Sequence, residues 1–452
     1  MINKMVFKGK DELLLPYEEM EPSRRRVFRR FWIALDIGLA AMHYVPFVLL
    51  LVATRGSIFY CTLVSWCLGE ILFYFCWQGK LHCRKSVFIK LDAEARLQQA
   101  LQVCDHMQDV SSAVGGWIVP QPEGISFNNL VDWINYAFFN KKTEQLTLAE
   151  WKRSDDILDV FKNRMELKKT IDRSFCLTPS LDKPTGTFRP LSFHLFLSLP
   201  KLVSNAALSL YGFTWHPASK GISYWMYEPA EEEGTPILFL HGLVFGVYMY
   251  TNQLAHLVSK HPKRRIIATC IPCSSLDLAA PILSPPEIAK GISKILDENS
   301  VLHVSVFGHS YGSVVAAWLI KFYPAYVTKL TLVNPVCFET WNSQLIFRTF
   351  YSQPTSFMHD FFLFWANDAG MDLYMHTYSP FQWFIFPESI PIPSQIFLAT
   401  QDLLIDGPKC YNYLNARKQE SNLENMHLQL INTTHAGFVI DSSLTKQFLA
   451  SV

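Results

Sequence analysis

VLHVSVFGHSYG, residues 301–312, decides how the rest of this chain is read. An apolar run stops at Gly308-His309-Ser310-Tyr311-Gly312, and a helical run, Ser313 to Phe322, begins at once. G-x-S-x-G between a strand and a helix marks a sharp turn. Its serine takes a strained backbone conformation, and the glycines two residues to either side let neighbouring backbone approach without a Cβ clash. Such a turn presents one hydroxyl at the end of a sheet, so Ser310 is the candidate nucleophile.

The surrounding segments supply that sheet. From residue 218 onward, short apolar runs alternate with helical stretches: 221–229, 235–242, 264–272, 301–312, 329–335, 394–400 and 427–432 read as strands. That alternation implies a mostly parallel sheet covered by helices, an α/β domain over 218–452. A serine hydroxyl needs a base, and the base needs an acid to orient it. Where an elbow of this kind carries the nucleophile, acid and histidine follow it in chain order. Asp402 comes directly after the strand SQIFLAT, with Asp406 four residues on as the fallback acid; His435 follows the last strand, ahead of a short helical tail, Ser442 to Val452. His309 reads only as the variable residue of the elbow. Charge developing on a substrate oxygen must meet preorganised donors. His241-Gly242-Leu243, after the 235–242 strand, would offer the Leu243 N–H, and Tyr311 N–H a second; His241 braces the loop, and Gly246 helps it turn.

These residues resemble the α/β-hydrolase superfamily over roughly 218–452, through the HG turn, the GHSYG elbow, the QD acid and the terminal histidine. GHSYGSVVAAWLI followed by LVNPVCF looks like a poorly characterised branch of eukaryotic hydrolases that carry N-terminal membrane segments. The resemblance implies the fold and a serine mechanism, and no particular substrate. Asn334 stands where that branch leads one to expect Asp, which leaves Asp402 as the better acid. An insertion over about 336–393 occupies the place of a lid. It is crowded with Phe338, Trp341, Phe347, Phe350, Phe357, Phe361, Phe362, Phe364, Trp365, Trp383 and Phe384, which either line an acyl pocket or form the lid's own core.

Upstream, the character is different. Residues 1–30 are polar and end in Arg24, Arg25, Arg26, Arg29 and Arg30; 31–53 and 58–78 are apolar runs of a length that can cross a bilayer. Lys80, Arg84 and Lys85 follow. Basic residues on both flanks put both ends in the cytosol, giving a membrane hairpin over 31–78 with the catalytic domain cytosolic. The endoplasmic reticulum and lipid droplets are surfaces that fit. Asp36, His43, Pro46 and Glu70 interrupt the runs, so the hairpin either spans or dips into one leaflet. Region 86–217 reads as helical, with a turn over Leu181–Pro190 and an apolar stretch at 191–213 broken by Pro200.

Totals narrow the partners. Forty Lys plus Arg against 39 Asp plus Glu leave no field to recruit nucleic acid. The 34 Phe and 12 Trp suit contact with lipid or a lipid-like ligand. Ten scattered cysteines form no disulfide framework, and Cys270-x-x-Cys273 lacks a second pair to make a metal site, so no metal or other cofactor is expected. Asn432-Thr433-Thr434 is a glycosylation pattern beside His435, a conflict that a cytosolic domain avoids. The expectation is a membrane-associated serine hydrolase acting on a lipid-like ester. Its alternatives are an acyltransferase with the same triad and a non-catalytic membrane-tethered lipid-binding protein.

Overall fold

The computed structural model describes residues 58–82, 91–120, 124–168, 174–276, 281–450 and 452. The polar segment 1–30 and the first apolar run, 31–53, lie outside the described residues. The chain divides into two units, the larger made of residues 86–184, 205–352 and 374–452 and the smaller of 1–85, 185–204 and 353–373.

The larger unit is built on an eight-stranded sheet. Its strands are β1 (Phe213–Pro217), β2 (Ser223–Tyr227), β3 (Ile237–Leu240), β4 (Ile266–Cys270), β5 (Val304–His309), β6 (Val327–Val333), β7 (Ser394–Gln401) and β8 (Met426–Thr434). They lie in the order β1-β2-β4-β3-β5-β6-β7-β8. β2 runs antiparallel to both of its neighbours, and every other pairing is parallel. β3, β4 and β5 are buried at every residue, as continuous apolar runs must be when helices cover both faces. Helices Thr251–Lys260, Pro285–Glu298, Tyr311–Phe322, Gly407–Glu420 and Ser442–Leu449 supply that cover. Phe239 and Phe307, on β3 and β5, stack with ring centroids 5.3 Å apart, and Tyr250, Phe397, Phe438 and Phe448 close the core around them. From β3 the chain passes to β4 on one side and then to β5 on the other, which opens a crevice at the carboxyl ends of β3 and β5.

The sheet differs from the sequence expectation at one end, since β1 lies upstream of residue 218. Its pattern, FTWHP, faces solvent at three of five residues and follows an apolar helix, so no alternation announces it. The region 93–176 also belongs to this unit. Trp117, Trp133, Tyr136 and Phe138 pack around Phe381 of the insertion, with Trp117 and Phe381 centroids 5.3 Å apart. Phe338, Trp341 and Trp383 of the insertion are buried as well, so these aromatics serve as packing.

The smaller unit brings together the helix Ile58–His82, residues 185–204 and the part of the insertion at 353–373. Leu191–Leu210 is one helix that runs through Pro200, where the sequence suggested a break. A proline removes one backbone donor and crowds the preceding turn, a cost this helix carries at an exposed position.

The helix Tyr311–Phe322 sets a strict condition on the sheet. A Cβ placed on Gly312 would lie 2.2 Å from the Leu240 carbonyl oxygen. We expect Gly312→Ala to cost at least about 3 kcal/mol, read as a loss of denaturant midpoint or of soluble protein.

Candidate active site

Ser310 lies between β5 and the helix Tyr311–Phe322 with φ 52° and ψ −119°, the left-handed strain expected of an elbow. Its N–H donates to the Val333 carbonyl at 3.0 Å, and Ser313 Oγ donates to the Ser310 carbonyl at 2.6 Å. The same Ser313 Oγ accepts from Val336 N–H at 3.0 Å, which ties the elbow to the loop after β6.

Three of the sequence-selected residues meet here. His435 Nε2 lies 2.7 Å from Ser310 Oγ, and His435 Nδ1 lies 2.6 Å from Asp402 Oδ2. A carboxylate only accepts, so Nδ1 carries the proton and Nε2 is left to receive one from the serine. The second Asp402 oxygen accepts from Leu404 N–H at 2.8 Å and Ile405 N–H at 3.1 Å, which fixes the carboxylate plane. All three residues are buried, with Ser310 and His435 8% exposed and Asp402 9%. Asp406 has other work: its carboxylate caps the helix Gly407–Glu420 through Lys409 N–H at 3.0 Å.

Strand register brings acid and base together. β8 pairs in parallel with β7 up to Ile431 opposite Ala399, and then shifts so that Thr434 faces Gln401. One extra residue on β8 therefore bulges, and the next residues in each chain are His435 and Asp402.

The turn after β3 lies against Ser310. A Cβ on Gly242 would stand 3.4 Å from Ser310 Cβ and 2.7 Å from Tyr250 Oη. Val244 has φ 90°, and its N–H donates to the Ser274 carbonyl at 2.9 Å, so this turn is held in a strained form. Among the described residues no group accepts from Leu243 N–H. Tyr311 N–H belongs to the first turn of its helix, directly after Ser310. His241 donates from Nδ1 to the Gly242 carbonyl at 2.7 Å and accepts Ile271 N–H on Nε2 at 3.1 Å.

A second polar chain, which sequence reasoning missed, holds the histidine loop. Tyr250 Oη accepts Gly242 N–H at 3.0 Å and lies 2.7 Å from His309 Nδ1; His309 Nε2 lies 3.2 Å from the His435 carbonyl. A carbonyl can only accept, so Nε2 carries the His309 proton and Tyr250 donates to Nδ1. Asn334 Nδ2 donates to the same carbonyl at 2.8 Å. His309 is thus a brace between two loops, and not merely the variable residue of the elbow. In the sequence Asn334 stands out only as a departure from Asp; an ionised Asp could not donate to that carbonyl. No signal in local spacing points to Tyr250.

Burial keeps both bracing histidines neutral. Desolvation lowers His241 from 6.5 to about 4 and His309 from 6.5 to about 3, the latter helped by the neighbouring His435. Below about pH 6.5 the unfolded chain takes up protons at these positions that the folded chain refuses. Their contribution to stability is therefore complete above about 6.5 and falls as pH drops toward 4, by up to about 1.4 kcal/mol per pH unit for each histidine.

No family model and no curated protein matches this chain. Solved structures with a similar chain path include carboxylesterase CesB (YbfK) from Bacillus subtilis, 11% identical, with 58% of this chain and 98% of that one covered at TM-score 0.42. Naproxen esterase (carboxylesterase NP) from Bacillus subtilis is 14% identical, covering 55% of this chain and 94% of its own at 0.39. A membrane phospholipase A described as a novel bacterial virulence factor is 13% identical, covering 57% and 92% at 0.41. At such identities the chemistry has to be read from this chain's own residues. Those residues define an α/β protein with a buried serine–histidine–aspartate array at the carboxyl edge of a mostly parallel sheet.

Two outcomes follow for the bracing residues. Asn334→Asp sets a carboxylate against the His435 carbonyl and is expected to cost about 2 to 3 kcal/mol at neutral pH, measured by urea denaturation. The unfolding midpoint is expected to fall between pH 6.5 and 4.5, with a shallower slope in His309→Gln, since one of the two refusing histidines is then gone.

Proposed function

We propose that this chain is a membrane-associated serine hydrolase that cleaves a hydrophobic carboxylic ester through an acyl-enzyme on Ser310. The observation that carries the reading is the pair of hydrogen bonds from Ser310 through His435 to Asp402 at 2.7 and 2.6 Å. As Ser310 Oγ attacks the ester carbonyl carbon, its proton passes to His435 Nε2. Asp402 holds the ring in the right tautomer and stabilises the imidazolium. The carbonyl oxygen becomes an oxyanion and receives Leu243 N–H and Tyr311 N–H, donors already in place before charge develops. Collapse expels the alkoxide, which takes the proton from Nε2 and leaves as the alcohol, with the acyl group on Ser310. Water then enters, gives its proton to His435 and attacks the acyl carbon. The carboxylic acid departs as Ser310 recovers its proton.

The membrane part of this reading is supported by the apolar helices Ile58–His82 and Leu191–Leu210. Both are long enough to enter a bilayer, and little of either is buried within the protein. A lipid-like ester is the substrate class that such a surface brings to the enzyme.

The test is fluorophosphonate labelling of the detergent-solubilised full chain. Labelling is expected to vanish in Ser310→Ala and to fall about a thousandfold or more in His435→Ala and Asp402→Asn. Asp406→Ala, by contrast, should label as wild type and lose about 1 kcal/mol of stability with its helix cap. A folded wild-type chain that does not label would sink the serine mechanism.

A further inference from the structure

Glu70 lies midway along the apolar helix Ile58–His82. Its two carboxylate oxygens accept from Leu191 N–H at 2.8 Å and Ser192 N–H at 2.9 Å, at the start of the helix Leu191–Leu210. In water these donors would be hydrated without help. Yet an ionisable group at the middle of a membrane helix costs about 2.5 to 3.5 kcal/mol on insertion scales. The arrangement suits a place without water, where each backbone donor needs an internal partner and a carboxylate offsets the positive end of a helix dipole.

The exposed side chains show which way that surface faces. On Ile58–His82, Leu68, Ile71, Leu72 and Phe75 are each at least 53% exposed and follow the spacing of one helical face, while Leu63 is buried on the other. On Leu191–Leu210, Leu195, Phe196, Leu199, Leu202 and Val203 form a second stripe of the same kind. A helix that packs one face on protein turns its other face outward, and both stripes are apolar enough for that outward face to meet lipid.

Charged groups beside Glu70 argue against crossing. The segment leading into Leu191 carries buried Arg189, whose guanidinium lies 4.3 Å from the Phe364 ring centroid. Asp372 Oδ2 accepts Gly186 N–H at 2.6 Å in the same unit. Were Ile58–His82 to cross a bilayer, Glu70 and this charged segment would lie near its midplane. In-plane placement leaves them on the protein side.

Resting on the membrane reading above, we propose that this unit embeds in a single phospholipid leaflet. Ile58–His82 and Leu191–Leu210 lie in the plane of the acyl–headgroup boundary, joined by Glu70. The arginine-rich stretch Arg24 to Arg30 precedes the apolar run, and its charge suits the phosphates of the same surface. The rival occupant of the two stripes is this chain's own apolar segment 31–53.

The test uses the full chain on phosphatidylcholine vesicles that contain a photoreactive phospholipid, with the reactive group either near the headgroup or at the acyl terminus, and maps cross-linked peptides by mass spectrometry. The shallow probe is expected to label both 60–77 and 191–204, and the deep probe to label neither well. The double substitution Phe196→Asp/Val203→Asp, both at exposed positions, should lower vesicle binding at least about tenfold. Deep labelling centred on Leu68–Phe75 would replace the in-plane arrangement with a crossing helix. Flotation with 191–204 unlabelled would give its stripe to another occupant, 31–53 first, and overturn the inference while the membrane reading stood. A chain that neither floats nor labels would overturn both.

Discussion

The helix after the elbow starts so close beneath β3 that Gly312 rests against the Leu240 carbonyl, and most of the arrangement around Ser310 follows from that approach. With no Cβ at 312, the helix can begin immediately after β5, and Ser310 is forced into a positive φ that points its hydroxyl out of the sheet. The turn after β3 lies against the serine, and a Cβ on Gly242 would press on Tyr250 Oη at 2.7 Å. Strain of this kind persists only where the surroundings over-determine it. Here the Ser310 N–H to Val333 and the Ser313 hydroxyl bridging Ser310 and Val336 do so.

Loops from four strands then share one polar scaffold. Tyr250 receives the turn after β3 and donates to His309; His309 and Asn334 both donate to the carbonyl of His435. Each buried polar atom in this run has a partner of the complementary kind, the condition under which a buried network rigidifies a site. Its neutral histidines carry no charge that burial would penalise. His435 is therefore positioned twice, through its ring by Asp402 and through its backbone by the elbow and the loop after β6.

Glu70 illustrates how a charge is read differently once its partner is known. In the sequence it is a blemish in an apolar run. In the structure it caps another helix more than a hundred residues away in the chain. The insertion between β6 and β7 is likewise divided in use: Phe338, Trp341, Phe381 and Trp383 pack in the larger unit, and residues 353–373 join the apolar helices of the smaller one.

The elbow, seven of the eight strands and the positions of Asp402 and His435 were legible in the sequence because each rests on local demands: strand alternation, a glycine-bounded turn, and an acid and a base placed just after strands. β1 was not legible, since a half-exposed strand behind an apolar helix carries no alternation of its own. Sequence favours Asp402 but keeps Asp406 as a fallback, because both follow the same strand; a bulge in β8 sets Asp402 beside the histidine, leaving Asp406 to cap a helix. The partnerships of His309, Asn334, Tyr250 and Glu70 belong to tertiary structure alone. A hydrogen bond depends on distance and direction in space, and residues this far apart in the chain acquire both only when the sheet and its helices have packed.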